Sequence, residues 1–174
     1  MSKYINASEI KCIEDLKKVY FKMAQKLHPD HGGDTEEFKI LNNEYQELFP
    51  RFKNIHRNIN PDIEQEFYES KKPIKECPDD FIKIVSELLK ISGIEIELCG
   101  RWLWISGDTK PVKEALKVYG CRWNSKKKMW SWHYEEDGFR KRSRKSVPMA
   151  DIRTMYGSQK FFAEEEQERR QIAG

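Results

Sequence analysis

The chain has 174 residues, 38% hydrophobic and 35% charged, with a formal net charge of only +3. That length suits one or two small domains with modest cores, and the high charged fraction implies long solvated faces. No apolar run approaches the roughly 18 residues a membrane helix needs, and no signal-peptide pattern opens the chain, so a soluble, cytoplasmic, non-secreted protein is expected.

In chain order, the first pattern is helical. Leu16, Val19, Tyr20, Met23, Ala24 and Leu27 recur at three- and four-residue steps, which predicts an amphipathic helix over 8–27. Lys18, Lys22, Gln25 and Lys26 fall on its opposite side. Pro29 stops it, because a residue before proline is pushed out of the α region. Gly32 and Gly33 allow a tight turn, and Asp34 or Thr35 can cap the next helix. Phe38, Leu41, Tyr45, Leu48 and Phe52 then form a second stripe. Two stripes joined by a short loop predict an antiparallel helical hairpin over 1–52.

Residues 53–77 turn polar, with Pro61 and Pro73, and read as a linker with one short helix around 62–70. From 78 to 136 a second unit follows. Phe81, Ile84, Val85, Leu88 and Leu89 predict a helix capped by Asp79 or Asp80. "GIEIELCGRWLWISG" reads as a β-hairpin, Val112 to Tyr119 as a helix closed by Gly120, and "CRWNSKKKMWSWHY" as a second hairpin. The fold class is therefore α+β: a helical hairpin, a polar linker, then a small two-layer α-β-β-α-β-β domain. Residues 137–174 read as a basic and then acidic tail, with a short helix over 149–156 and a charged helix at the end.

"KLHPDHGGDTEEF" presents two histidines and an aspartate at the end of the first helix. Catalysis would need a nucleophile, and no Ser or Cys is close in sequence. A metal site would need more ligands than His28, Asp30 and His31 supply at a useful spacing. Cys12, Cys77, Cys99 and Cys121 lie apart with no C-x-x-C pair, which favours free thiols over zinc or disulfides. Neither a metal nor another cofactor is expected. Recognition remains.

"DLKKVYFKMAQKLHPD" followed by "GGDTEEFKILNNEYQEL" resembles the J-domain family, co-chaperones of the heat-shock ATPase chaperone known in bacteria as DnaK. The likeness covers about residues 5–50 and rests on Tyr20, Leu27, His28-Pro29-Asp30, the basic helix before them and the Asn43–Tyr45–Leu48 stretch. The resemblance implies that Lys18, Lys22 and Lys26 guide docking on an acidic face of a DnaK-type partner. It also implies that His28, Pro29 and Asp30 form the corner that triggers ATP hydrolysis by that partner. "YINASEI" stands where the family has a Tyr-x-x-Leu-Gly lead-in, so the first family helix is expected to be reduced or fused with the second. The Gly/Phe-rich segment and zinc-binding cysteine repeats of general J-domain chaperones do not occur here, which suggests a specialised adaptor.

All five tryptophans, Trp102, Trp104, Trp123, Trp130 and Trp132, fall in the second unit. Period-two spacing places each of the pairs 102/104 and 130/132 on one side of its strand. These rings can fill a small core beneath the helices, or they can serve as a stacking platform for nucleic acid. In the second case the candidate contacts are Arg101, Arg122, Lys126, Lys127, Lys128, Trp130 and Trp132, with Arg140, Lys141, Arg142, Arg144 and Lys145 of the basic run neutralising phosphates. "LKVYGCRWNSKKKMWSW" also looks similar to a small module of phage and mobile-element proteins, to which no activity attaches. A carboxylate pattern at Asp79, Glu95 and Glu97 lacks the lysine a nuclease site needs. The expected function is thus a non-enzymatic J-domain co-chaperone with a C-terminal target-binding module. The alternative is a nucleic-acid-binding protein in which the hairpin is only a scaffold.

Overall fold

Two amphipathic helices open the structure, α1 over Ile13–Leu27 and α2 over Thr35–Phe52, joined by a single 3-10 turn at Pro29–His31. The structure is a computed structural model that describes residues 3–60, 62–71, 74–134 and 146–162. α1 begins at Ile13 rather than at residue 8 because Asn6 turns the chain first. Its side-chain oxygen accepts from the Ser8 backbone N–H and hydroxyl, while its Nδ2 donates to Glu9. The preceding segment is pinned without being helical. The Glu44 carboxylate on α2 accepts the backbone N–H groups of Lys3, Tyr4 and Ile5, and Ile5 and Ile10 are buried in the core.

The hairpin does not bury its stripe by itself. α3, Pro78–Leu89, sends Phe81 between the two helices. The Phe81 ring centroid lies 5.9 Å from both Tyr20 and Tyr45, which are themselves 4.6 Å apart. On the other side Phe81 meets Trp132 of the sheet at 6.2 Å. α3 begins at Pro78, with Cys77 as its uncapped N-cap residue, rather than behind an aspartate cap; Asp79 instead accepts from the Gln46 side chain. One continuous apolar core consequently runs from Leu16 and Tyr45 through Phe81 to Ile96 and Trp130.

Where a linker with a short helix over 62–70 was expected, β1 (Ile55–Arg57) and β2 (Phe67–Glu69) form a two-stranded antiparallel ribbon. Its anchors are polar, which is why no hydrophobic period revealed it. His56 bonds to Glu14, Arg57 pairs with Asp15 and Glu66, and the rings of His56 and Tyr68 lie 5.3 Å apart across the strands.

The main sheet has five antiparallel strands: β3 (Ile94–Cys99), β4 (Trp102–Gly107), β5 (Arg122–Asn124), β6 (Met129–Trp132) and β7 (Gln159–Phe162). Their spatial order is β5-β6-β4-β3-β7, with α4 (Lys113–Val118) between β4 and β5. The expected α-β-β-α-β-β order is the observed one. A helix over 149–156 is also present, as α5 (Met149–Tyr156). β7 was not foreseen: four residues are too short to show a period, and Phe161 finds its place only by pairing with Ile96. The end of the tail, expected as a charged helix, lies outside the described residues.

The sheet has two distinct faces. Ile94, Ile96, Leu98, Leu103, Ile105, Trp130, Trp132 and Phe161 enter the shared core. Cys99, Trp104 and Met129 lie on the opposite face, under Met149 and Ile152 of α5. Among the described residues, no helix is long and apolar enough to cross a membrane.

Candidate functional site

α1 ends where the sequence requires. His28, ahead of Pro29, has φ −64° and ψ 130°, outside the helical region. The chain then folds back so closely that a Cβ on Gly33 would lie 2.2 Å from the carbonyl carbon and oxygen of Leu27, which only glycine avoids. Gly32 adopts φ 79°. Asp34 closes the corner by capping α2, its Oδ1 accepting from the N–H groups of Glu36 and Glu37 at 2.8 and 2.9 Å.

Pro29 and Asp30 are exposed at the tip, but His28 is only 2% exposed. The three residues expected to form one surface corner are therefore split. The imidazole turns inward because α3 supplies a polar partner there. Its Nε2 lies 3.2 Å from Ser86 Oγ, its Nδ1 accepts the Asp30 backbone N–H at 3.3 Å, and its ring meets Phe38 edge-on at 5.1 Å. Burial lowers the His28 pKa below its ordinary value, so the ring is neutral near pH 7. With Nδ1 accepting, the proton sits on Nε2 and points at Ser86. That tautomer cannot take a proton from the serine, so the contact is not a nucleophile–base pair. His31 is buried as well. Its Nε2 donates to the Leu89 carbonyl at 2.6 Å and its ring packs edge-on against Phe161 at 5.0 Å. Both histidine Nε2 atoms are thus committed to α3. Among the described residues, no group of three His, Cys, Asp or Glu is placed to hold a metal ion.

Lys18, Lys22 and Lys26 are all exposed along α1 and form no ion pair among the described residues. Neighbouring Lys17 behaves differently. It is 1% exposed, pairs with the equally buried Glu76, and lies 4.5 Å from the Phe81 ring centroid. Three free cations therefore form a row that leads to the exposed Asp30 carboxylate. Lys18 also lines a cleft of about 240 Å³ with Arg57, Tyr156 and Ser158.

The expected nucleic-acid residues are more dispersed. Trp130 and Trp132 are 7% and 9% exposed and belong to the shared core, so their faces are not available for stacking. The register explains this correction. Leu103 pairs with Trp132 and Trp104 with Ser131, which puts the 102/104 and 130/132 pairs on opposite faces of the sheet. Arg122, Lys126 and Lys128 are exposed, and Arg101 is half-buried. Lys127 is engaged: its ammonium bonds to the Val147 carbonyl and lies 5.6 Å from the Trp104 ring centroid. Arg140, Lys141, Arg142, Arg144 and Lys145 lie outside the described residues. Two tryptophans reach the surface: Trp123, 51% exposed and edge-on to Trp130, and Trp102, 37% exposed and stacked on His133 with ring centroids 3.8 Å apart. Alternation shows only that His133 is out of phase with Trp130 and Trp132; the strand register, not the sequence, puts it on the face of Trp102.

Comparison with known proteins finds a short match to J-domain chaperones. Over 35 residues the chain is 60% identical to the DnaJ protein homolog ANJ1 of Atriplex nummularia and to chaperone protein dnaJ 2 of Arabidopsis thaliana, and 57% identical to DnaJ protein homolog 2 of Allium porrum. Each match covers 20% of this chain and 8% of the relative. That length is close to the α1–corner–α2 unit, which runs from residue 13 to residue 52. The chain thus contains a J-domain-like segment. No model of a known protein family matches the chain, and no solved structure does. Nothing in these comparisons supports the likeness to a phage and mobile-element module.

Proposed function

We propose that the chain is a specialised J-domain co-chaperone that docks on a DnaK-type heat-shock ATPase and stimulates its ATP hydrolysis, while the α+β part binds a target. The observation that carries this reading is the exposed Asp30 at the end of the free Lys18–Lys22–Lys26 row. The lysines steer the chain toward an acidic face and speed encounter in a salt-dependent way. Pro29 fixes the backbone, so little freedom is lost on docking. Asp30 accepts a charge-assisted hydrogen bond from an arginine or lysine of the partner. His28 acts as a positioning residue: by accepting the Asp30 N–H it sets the backbone that aims the carboxylate outward. The chain performs no bond chemistry itself.

Association kinetics with a DnaK-type ATPase test the docking half. Replacing Lys18, Lys22 and Lys26 together by Ala is expected to slow association roughly ten-fold at low ionic strength and to flatten its salt dependence. Association that is unchanged in rate and in salt dependence would rule out this row as the docking face.

A further inference from the structure

We infer that the turn between β5 and β6 carries a binding site for single-stranded nucleic acid, built on Trp123, Lys126 and Lys128. Trp123 is the most exposed tryptophan among the described residues. It lies on β5, at the edge of the five-stranded sheet, and meets Trp130 edge-on with ring centroids 5.6 Å apart. Trp130 belongs to the shared core, so a fixed ring holds Trp123 from one side while the sheet ends on the other. A ring held in this way loses little side-chain freedom when a base stacks on it.

Two cations beside the ring are uncommitted. Residues 125–128 form the turn, and Asn124 Oδ1 sets its shape by accepting the Lys127 backbone N–H at 3.1 Å. The Lys127 ammonium is tied to the Val147 carbonyl. Lys126 and Lys128 are exposed and form no ion pair or hydrogen bond among the described residues. Lys128 has φ 53°, and every other positive φ among the described residues belongs to a glycine. Glycine would take that conformation without strain, so the backbone does not select the residue at 128. What lysine adds there is its charge.

The register keeps this site away from the acidic side of the sheet. Trp123 pairs with Trp130, Trp130 with Ile105 and Ile105 with Ile96, so all four lie on the face of the shared core. Glu95 and Glu97 alternate with Ile96 and lie on the other face. Residues 115–134, which hold the whole hairpin, contain no carboxylate. An apolar ligand would leave both free ammonium groups unused, and an acidic peptide would leave the open ring unused. A duplex hides its base faces, whereas a single strand offers a base to Trp123 and phosphates to Lys126 and Lys128. The inference gives a chemical class to the target-binding role proposed for the α+β part, and it rests on that role alone. It shares no residue with the docking corner and is measured without the ATPase, so either reading can fail without the other.

The test is fluorescence anisotropy of the full chain with labelled oligothymidylate and a labelled duplex across a salt series, with unlabelled polyglutamate as competitor. The single strand is expected to bind more tightly than the duplex and to resist polyglutamate. Trp123→Leu should weaken single-strand binding about ten-fold, while Trp123→Tyr should retain most of it. Lys126→Ala and Lys128→Gly should each reduce the slope of log affinity against log salt by about 0.7, the value of one single-strand phosphate contact. Lys22→Ala, in the docking row, should change neither quantity. Lys128→Gly removes the charge while easing the turn, so its unfolding midpoint should not fall, and it keeps the test decisive where Trp123→Leu unfolds. Absence of saturable binding at low salt, equal or tighter duplex binding, wild-type affinity in a folded Trp123→Leu, or a wild-type salt slope in both Lys126→Ala and Lys128→Gly would each overturn the proposal. Release of the strand by polyglutamate as readily as by unlabelled oligothymidylate would also overturn it and assign the turn to an acidic protein partner.

Discussion

The imidazole of His28 donates to the hydroxyl of Ser86 at 3.2 Å, which ties the end of α1 to a helix 58 residues further along the chain. The orientation of the corner is therefore set by α3 as well as by the hairpin. Ser86→Ala would leave the buried Nε2–H without its acceptor, at a cost of about 1–2 kcal/mol. The expected result is a lower urea midpoint with an unchanged m-value, together with faster amide exchange at Asp30 and His31. A Ser86→Ala chain as stable and as protected as the wild type would mean that α3 does not hold the corner.

The same burial gives a pH dependence. The folded pKa of His28 is depressed by desolvation below its ordinary 6.5. Between the unfolded and folded pKa values the unfolded chain binds more protons, so stability rises with pH across that window. The contribution is fully present above about pH 6.5 and is lost as pH falls toward the depressed folded value. Unfolding titrations should show this decline on the acid side of 6.5, and His28→Gln, which cannot titrate, should remove it. A decline of equal slope in His28→Gln would assign it to other groups.

Adjacent lysines on α1 should answer substitution in opposite ways. Lys17 and Glu76 form a pair with side chains 1% exposed, and removing one partner of such a pair costs about 3–5 kcal/mol because the other charge stays buried. Lys17→Met should therefore be strongly destabilising, and Lys17→Met with Glu76→Leu should recover most of the loss. Ala at Lys18, Lys22 or Lys26 should shift stability by less than about 0.5 kcal/mol. Thermal unfolding of the five variants gives the comparison directly.

Much of this layout was legible in the sequence. The α1 and α2 stripes and the α-β-β-α-β-β order come from apolar residues at helical or alternating spacing, where burial enforces the period; α5 was expected only as a short helix and has no fully buried residue. Polar anchorage was not legible. Glu14 and Asp15 holding the β1–β2 ribbon, Glu44 holding residues 3–5, and Glu97 holding Arg153 are single long-range contacts with no period of their own. The inward turn of His28 was equally hidden, because Ser86 is an ordinary helical serine until the fold brings it across. The tryptophans show the limit most clearly. Alternation correctly paired 102 with 104 and 130 with 132, but only the strand register decides which pair faces the core.

Glu97 illustrates how such an anchor fastens the last strand. Its side chain is fully buried and accepts from Arg153 Nε at 2.6 Å, Arg153 Nη2 at 2.8 Å and Ser158 Oγ at 2.5 Å. Burial alone would raise its pKa, but the hydrogen bonds from Arg153 and Ser158 outweigh it and hold the carboxyl below the ordinary carboxylate value. Arg153→Ala should cost about 2–3 kcal/mol, less than a fully buried pair because Arg153 is 37% exposed. Since the folded pKa of Glu97 is depressed, the pair stabilises above the unfolded carboxylate pKa and is lost as pH falls through the folded one. Urea unfolding of Arg153→Ala near neutral pH and in acid should therefore show a penalty that shrinks in acid.

The most direct measurement of the docking reading is single-turnover ATP hydrolysis by a DnaK-type ATPase, with and without the full chain. The wild type is expected to accelerate hydrolysis, and Asp30→Asn, a change at an exposed side chain that leaves the packing of His28 and α3 untouched, is expected to abolish the acceleration while the unfolding midpoint stays the same. Equal acceleration by Asp30→Asn, or none by the wild type, would contradict it.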